Sequence, residues 1–365
     1  MTAVTPITHP PSPGSANPGD LRPPAWLLMG MPDDRRARLE FRGWNEPLGF
    51  KLQGMAGFPP QLLGMPWAAQ PVCLGQPGMA INAELKRLPC INMLADADIY
   101  PLALEQAAGF VEEMKVPCFN HPRAVQRITR DGVYRRLRDI PGLHVPVTVR
   151  VRAQTLDALR AAMAGAGISY PVLVRMAGDH SGVSTVKVDD DGAWDAIHPL
   201  PWGGRDVYLT QYVDYQDVDG CFRKMRLVVA GDRVIGRHLM ISGTWMVHAR
   251  NRLPGSHVEE GAWLASFNSL TLARIEATVL EMARRLELDF FGIDASLRPD
   301  GTVLLFEANP CMSVFHNPGG TGPTIWDGCI QDMTQALIDS LQDVASWRNV
   351  RALLASADAR PVGLP

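Results

Sequence analysis

Residues 289–310 read DFFGIDASLRPDGTVLLFEANP, and this stretch decides the fold. Two apolar runs, Phe290–Leu297 and Thr302–Ala308, flank the turn sequence Arg298-Pro-Asp-Gly301. Strand-forming runs separated by a short Pro-Asp-Gly connection are typical of a β-hairpin. The stretch therefore predicts two antiparallel strands.

Polar side chains converge on this hairpin. Strand side chains alternate between faces, so Glu307 and Asn309 share a face, and pairing brings Asp294 within a residue or two of them. Two carboxylates and an amide oxygen are the hard ligands that Mg²⁺ prefers. Alternatively, Asp294 caps an edge and Glu307 faces solvent. We favour a metal site because Glu307 directly follows the apolar run Val303–Phe306, and functional groups are common at strand ends.

Composition narrows the class of protein. The 365 residues are 46% hydrophobic, enough for two or three domains. Net charge is −3 with the two signs interspersed, which argues against nucleic acid and against an anionic membrane as partners. No apolar run approaches the ~20 residues of a membrane span, and the N-terminal residues lack a signal-peptide pattern, so we expect a cytoplasmic protein. With nucleic acid and membranes disfavoured, a small molecule or a peptide is the expected substrate.

The six cysteines are scattered without C-x-x-C pairs. This spacing indicates neither a zinc knuckle nor a disulfide framework. We interpret them as buried or incidental thiols.

The order of elements predicts an α/β part followed by antiparallel sheets. A strand at Pro89–Leu94, a helix at Pro101–Lys115 and a strand at Val116–Asn120 form one β-α-β unit, which favours a parallel sheet. We expect a helical segment at Arg123–Arg138, then a strand at His144–Val151. Further strands are expected at Pro171–Arg175, Thr185–Val188, Val207–Val213, Arg223–Ala230 and Arg233–Met240, and a helix with one buried face at Leu270–Leu286.

The predicted organisation has six parts. They are a disordered arm (1–24), an N-terminal α/β domain (25–122), a connecting helical segment (123–143), a lid domain (144–213), a C-terminal domain (214–345) and a tail (346–365). Within the N-terminal part, residues 25–80 lack periodicity and are predicted to be irregular around a strand at Trp26–Met29.

The motifs G-I-D at 292–294 and F-E-A-N-P at 306–310 give the chain a family resemblance. Over roughly residues 118–320 it resembles ATP-grasp enzymes of the glutathione synthetase and ribosomal-protein glutamate ligase (RimK-like) branch. The resemblance implies a three-domain fold, α/β and α+β, with ATP between the last two domains. It also implies that Asp294, Glu307 and Asn309 hold two Mg²⁺ ions, or Mn²⁺, that bridge the ATP phosphates.

The resemblance implies further nucleotide contacts. Arg175 stands where the family has a lysine that contacts the α-phosphate, and arginine keeps the charge and can bind two oxygens. The loop Gly178–Ser184, which includes Ser181 and Gly182, corresponds to the lid over the phosphates. Arg130, rather than Arg127, replaces a second family lysine.

The strand at 209–213 looks like the hinge between domains. Backbone groups of Gln211, Tyr212 and Val213 would bind the adenine edge, and Asp214 or Asp217 the ribose. A buried strand explains the same residues.

Lys224 and Arg226 lie on one face of their strand by alternation, and two cations are costly in a core. They are expected to face anions. By resemblance Arg226 stabilises the acyl phosphate and the tetrahedral intermediate, and Lys224 lies near the γ-phosphate.

Substrate residues are sought around the same cleft. Arg250 and Arg252 would bind a substrate carboxylate, and His248 would take a proton from an attacking amine, although a lone histidine is more often structural. Further candidates are Trp245, His316, Asn317, the lid residues Asp179 and His180, and the strand-end residues Asp96, Asp98 and His121.

The resemblance implies an ATP-dependent carboxylate–amine ligase that forms an acyl phosphate and releases ADP and phosphate. The substrates would be a carboxylate and an amine, from a small molecule or a peptide. The sequence does not decide between a monomer and a homodimer. Two alternatives need the same nucleotide groups: a small-molecule kinase, and a nucleotide-binding regulatory protein without turnover.

Overall fold

The computed structural model describes residues 21–40, 49–59, 62, 64, 66–77, 86–180, 182–317 and 323–350. Residues 1–20 of the predicted arm (1–24), the lid residue Ser181 and residues 351–365 of the predicted tail (346–365) lie outside these ranges. The end of the predicted arm is ordered, since Pro24 begins a strand. Within them, no helix combines the length and the apolar character that crossing a membrane requires.

The first part of the chain forms a four-stranded parallel sheet. The elements in this part of the chain are β1 (Pro24–Gly30), β2 (Arg38–Glu40), β3 (Gly49–Lys51), β4 (Ala68–Leu74), β5 (Cys90–Asn92), helix α1 (Pro101–Met114) and β6 (Cys118–Phe119). The strand order is β4-β1-β5-β6, and β2 and β3 form a separate antiparallel pair. The β5-α1-β6 unit is parallel as predicted, with Cys90 opposite Cys118.

The expectation of irregular structure over 25–80 is wrong, because β4 pairs with β1 along its whole length. Pro71 lies inside β4, and a proline fits there because β4 is the edge strand.

The connecting segment contains α2 (Pro122–Gln126), α3 (Arg130–Leu137) and β7 (Leu143–His144). The single predicted helical segment is two helices, and Thr129 caps the second by accepting a hydrogen bond from the Gly132 amide at 3.3 Å. The strand predicted over His144–Val151 is also divided. Pro146 lacks an amide hydrogen, and the chain passes there from β7 in one sheet to the first strand of another.

The second sheet is antiparallel. It contains β8 (Thr148–Arg152), β9 (Val172–Met176), β10 (Val186–Val188) and β11 (Asp206–Gln211), with helix α4 (Leu156–Gly165) and a 3-10 turn at Asp191–Ile197. The strand order is β10-β9-β11-β8. Leu159, Val174, Trp194 and Leu209 are buried in its own hydrophobic core.

The third sheet carries the hairpin. Its strands are β12 (Phe222–Ala230), β13 (Arg233–Ser242), β14 (Phe290–Leu297) and β15 (Val303–Asn309), in the order β13-β12-β14-β15-β7. The helices are α5 (His257–Ser266), α6 (Ala273–Leu286) and α7 (Asp327–Gln342), with 3-10 turns at Ala249–Asn251 and Val344–Ser346 and a π-helical turn at Phe267–Leu272.

Helix α6 has the predicted buried face but starts later than predicted, after the π-helical turn. Ile275, Val279, Met282 and Leu286 are buried against the sheet. Each such side chain contributes about 1.5–3 kcal/mol on burial. These residues fix α6 on one face of the sheet. Helix α7 packs against β12 and β13 through Met333 and its neighbours.

The predicted fold class, α/β and α+β, is confirmed, and the layout is consistent with the three domains expected. The three larger sheets enclose a cavity of about 1350 Å³. Residues after β5, the loop between β9 and β10, and strands β12, β14 and β15 all line it. The boundaries assigned to the domains stay predictions.

Candidate active site

Three charged side chains form a row across the third sheet. Arg226 of β12 lies opposite Asp294 of β14, which in turn lies opposite Glu307 of β15. Asn309 pairs with Gly292 two positions further along. The hairpin therefore brings its carboxylates into direct opposition.

Asp294 is held by two cations. Arg226 donates from Nε to Oδ1 at 2.7 Å, and Lys224 Nζ donates to Oδ2 at 2.9 Å. Burial alone would raise the pKa of Asp294, but Arg226 and Lys224 outweigh it and hold the pKa well below its usual range. The carboxylate is ionised at any physiological pH.

Glu307 has a similar environment. The Arg130 guanidinium lies 2.9 Å from Oε1, and the Asn309 amide donates to the same oxygen at 2.6 Å. Burial opposes its charge, but Arg130 and Arg175 outweigh burial and lower the pKa of Glu307 to about 2. Asp294, Glu307 and Asn309 supply oxygen donors only, a set that fits the Mg²⁺ ion implied by the resemblance.

Four cationic side chains gather around the row. Arg130, Arg175, Lys224 and Arg226 line the cavity beside Asp294 and Glu307, and the other carboxylates of the lining belong to Asp96, Asp98 and Asp179. Arg175 donates to the carbonyl oxygen of Asp179, and its pKa is lowered to about 10, first by burial and then by Arg130. A buried cation beside another cation is stabilised by an anion, so the cluster is suited to a polyphosphate.

Two glycines allow the chain to pack tightly behind the row. A Cβ on Gly292 would lie 2.6 Å from the Met312 sulfur, and one on Gly57 would lie 1.9 Å from the Met312 carbonyl oxygen. The Gly57 amide also donates to the Pro310 carbonyl at 2.8 Å. The segment after β3 is thereby held against the end of β15.

The lid loop closes onto the other two sheets. Gly178 and Gly182 have φ of +73° and +67°, a conformation that favours glycine. A Cβ on Gly182 would lie 3.2 Å from His248 Nε2, and His180 Nε2 lies 2.8 Å from Asp96 Oδ2. Loop residues thus line the same cavity as the row.

The hinge offers fewer free backbone groups than expected. The Gln211 amide donates to Val147 O at 2.9 Å, and the Tyr212 amide donates to Pro171 O at 3.1 Å. The Tyr212 carbonyl accepts from the Gln211 side chain at 3.0 Å. Val213 therefore remains the best placed of the three to bind a base edge.

The expectation that Asp217 binds a ribose is corrected. Arg223 donates to Asp217 Oδ2 at 2.7 Å, and this ion pair lies outside the large cavity. Asp214 instead lines a smaller pocket of about 650 Å³ with Lys187 and Trp245.

The expectation that Arg252 binds substrate is also corrected. Arg252 donates to Glu260 at 2.6 Å, and Glu260 is fully buried on α5. His238 Nδ1 lies 2.7 Å from Glu260, and Trp326 Nε1 donates to it at 3.0 Å. A buried carboxylate needs these partners, so Arg252 is committed to the fold.

Two other substrate expectations are corrected. Asn317 donates to Asp327 at 2.8 Å, at the start of α7, and His121 accepts from the Arg123 amide at 3.2 Å as the N-cap of α2. Neither these residues nor Arg250 line the large cavity, whereas Trp245, His248 and His316 do. Burial, then Lys224 and Arg250, lower the pKa of His248, so it is neutral and able to accept a proton.

Sequence reasoning missed the Cys311 thiol, which lines the cavity close to Asp96 and His180. Its position two residues after Asn309 was a usable signal. It also missed an apolar wall, because the methionines that form it are far apart in sequence. The wall residues are Met29, Met31, Met55, Phe58, Met93, Met312 and Phe315.

No family model matches the sequence, and no curated protein matches it. The chain is similar to the crystal structure of a RimK domain ATP-grasp protein from Sphaerobacter thermophilus, at 17% identity over 77% of this chain and 92% of that chain, with a TM-score of 0.45. It is similar to D-alanine–D-alanine ligase from Coxiella burnetii, at 12% identity over 78% and 75% of the two chains, with a TM-score of 0.44. The ATP complex of D-alanine–D-alanine ligase from Bacillus anthracis matches at 12% identity over 90% and 99%, with a TM-score of 0.48. At TM-scores below 0.5 these likenesses carry no argument about activity. The solved structures that the chain is similar to thus include ATP-grasp proteins, the family whose motifs its sequence resembles.

Proposed function

We propose that this chain is an ATP-dependent carboxylate–amine ligase that forms an acyl phosphate and releases ADP and phosphate. The observation that carries the proposal is the opposed pair Asp294 and Glu307, surrounded by four cations at the base of a lidded cavity. An oxygen-only set of metal ligands beside four cationic side chains suits a metal–polyphosphate ligand.

The cavity suggests how the nucleotide lies. The adenine would reach Val213 at the hinge, and Arg130 and Arg175 would bind phosphate oxygens. Residues of the lid loop line the same cavity, and their backbone amides would donate to phosphate oxygens. Asp294, Glu307 and Asn309 would hold Mg²⁺, which when bound would offset the charge of the transferring phosphate.

The chain's own residues account for the remaining chemistry. A substrate carboxylate oxygen forms a bond to the γ-phosphorus, and the bridging oxygen leaves with its electron pair on ADP. Lys224 and Arg226 stabilise the negative charge that develops. An amine then attacks the acyl carbon, phosphate leaves, and neutral His248 accepts the amine proton at Nε2.

The Arg175→Met variant tests the phosphate contact. Loss of a charge-assisted hydrogen bond costs about 1.5–3 kcal/mol, so ATP affinity should fall about 10- to 100-fold. The measurement is a calorimetric titration with a non-hydrolysable ATP analogue and Mg²⁺. Arg152→Met is the matched control, since Arg152 belongs to the same sheet but pairs with Asp206 at an exposed site. Equal losses in both variants would contradict the placement of the phosphates.

The apolar wall suggests a class of substrate. The wall consists of methionine and phenylalanine side chains, which pack favourably against apolar groups. An acid or amine with a hydrophobic side chain should therefore bind on this side of the cavity better than a polar one. Among acids matched in charge, those with an apolar side chain should give at least about tenfold higher kcat/KM than polar ones, since a few methylene contacts are worth about 1–3 kcal/mol. A panel that showed a preference for charged side chains would contradict this assignment.

The reaction class is tested by following the products of ATP. We expect ADP and phosphate to appear only with an acid present, and hydroxylamine in place of the amine to trap the acyl phosphate as a hydroxamate. AMP with pyrophosphate would exclude the mechanism. A stable phosphorylated product would identify a kinase, and ATP binding without turnover on any substrate pair would favour the regulatory alternative.

A further inference from the structure

Three potential metal ligands from three different parts of the chain meet in the cavity. Asp96 follows β5 of the parallel sheet, His180 lies in the lid loop, and Cys311 comes two residues after β15. One ligand atom of each lies within 4.8 Å of the other two. His180 Nε2 and Asp96 Oδ2 are the closest pair at 2.8 Å. None of these contacts is local in sequence.

The Asp96 carboxylate is held in place by the surrounding backbone. Its Oδ1 accepts hydrogen bonds from the amides of Asp98 at 2.7 Å and Ile99 at 3.0 Å, which leaves Oδ2 directed at His180. A carboxylate oriented in this way binds a metal more tightly than a mobile one. The Cys311 thiol donates to Asn309 Oδ1 at 3.2 Å, and it gives up this hydrogen bond when it loses its proton to bind a metal.

The chemistry of this set differs from that of the carboxylate row. A thiol, an imidazole and a carboxylate select a borderline-soft divalent ion such as Zn²⁺ or Co²⁺, whereas the row offers oxygen atoms alone. Three protein ligands complete three positions of a tetrahedral shell. The fourth position would face the cavity, where water or a substrate atom can occupy it.

We propose that Asp96, His180 and Cys311 form a binding site for a Zn²⁺-class transition metal, separate from the Mg²⁺ ligands, that joins the lid loop to the other two sheets. On binding, the Cys311 thiol releases its proton to solvent, and the thiolate and the Nε2 lone pair form bonds to the metal. No oxidation or reduction is involved. The site does not depend on the proposed ligase activity.

Cobalt titration of the untagged chain, without nucleotide, tests the proposal. We expect one equivalent of Co²⁺ to produce a thiolate-to-cobalt charge-transfer band that Zn²⁺ removes by competition. Cys311→Ser should abolish the band. His180→Gln and Asp96→Asn should weaken binding by at least the roughly 10- to 100-fold that loss of an outer-shell partner costs.

Two controls separate this site from other thiols and from the row. Cys221→Ser removes a partly exposed thiol that does not line the cavity, and Glu307→Gln alters the carboxylate row. Both should keep the band, and circular dichroism should show every variant folded. Absence of the band in the wild type, or its survival in Cys311→Ser, would overturn the proposal, whatever the outcome of the ligase assays.

Discussion

Glu307→Gln should lower ATP-dependent turnover by roughly 10²–10³-fold, the largest effect on activity that we expect from a single change. Gln keeps the size of the side chain and can still accept from Asn309, but it removes the negative charge that faces Arg130 and Arg175. It also removes one of two carboxylates able to hold Mg²⁺. The loss corresponds to about 2.7–4 kcal/mol of transition-state stabilisation, the value typical of a preorganised electrostatic group. Steady-state ADP release at saturating ATP and substrate is the measurement.

The matched control is Asp300→Asn, which makes the same chemical change in the turn of the same hairpin. Asp300 Oδ1 accepts from the Thr302 amide at 2.8 Å, a bond that asparagine can also accept, and its side chain faces solvent. Turnover of this variant should match the wild type. Wild-type turnover in Glu307→Gln would place the metal and phosphates elsewhere.

Glu260→Gln should lower the free energy of unfolding by about 3–5 kcal/mol, the largest effect on stability. Removing one partner of a buried ion pair leaves an uncompensated charge, here on Arg252. The amide would also direct a donor at groups that already donate, among them Trp326. Chemical denaturation followed by circular dichroism gives the difference.

The same cluster makes stability depend on pH. Burial opposes the charge of Glu260, but His238 and Arg252 outweigh it, and its pKa falls from 4.5 to about 2. Burial lowers the pKa of His238 from 6.5 to about 4. Both groups bind protons more readily in the unfolded chain, so both contribute stability that is complete above pH 6.5 and is lost as pH falls towards 2. Glu260→Gln should flatten the lower part of this profile.

Glu259→Gln is the control for the cluster, because Glu259 precedes Glu260 on α5 but forms a surface ion pair with Arg223 at 2.7 Å. Surface pairs contribute about 0–1 kcal/mol. A loss as large as that of Glu260→Gln would mean that charge on the helix, rather than the buried contacts, sets stability.

The sequence pattern correctly predicted the features that depend on residues close together in the chain. The hairpin, its facing carboxylates and the buried face of α6 follow from periods of two and 3.6 residues. Lys224 and Arg226 were predicted to face anions, and both contact Asp294. These features need only a few adjacent residues to be specified.

Contacts between distant residues were not predictable from one sequence. Strand β4 is recognisable only through its partner β1, about forty positions earlier. Arg252 and Asp217 looked available for ligands although their partners Glu260 and Arg223 lie only eight and six positions away, because these contacts join a connecting segment to a helix or strand and follow no sequence period. The meeting of Asp96, His180 and Cys311 depends on how three sheets are arranged, and no sequence period encodes that arrangement.

The contacts of the lid with the parallel sheet bear on how this protein can be re-engineered. Besides Asp96 with His180, Asp98 Oδ1 lies 2.8 Å from an Arg150 guanidinium nitrogen and accepts a hydrogen bond from Tyr208 at 2.9 Å. A chimaera that imports a foreign N-terminal module to change specificity must therefore retain both aspartates. Without them, the recombined chain would leave the Tyr208 hydroxyl without its carboxylate acceptor and Arg150 with Asp206 as its one carboxylate partner among the described residues at the module boundary. The lid loop would also lose the contact of His180 with Asp96.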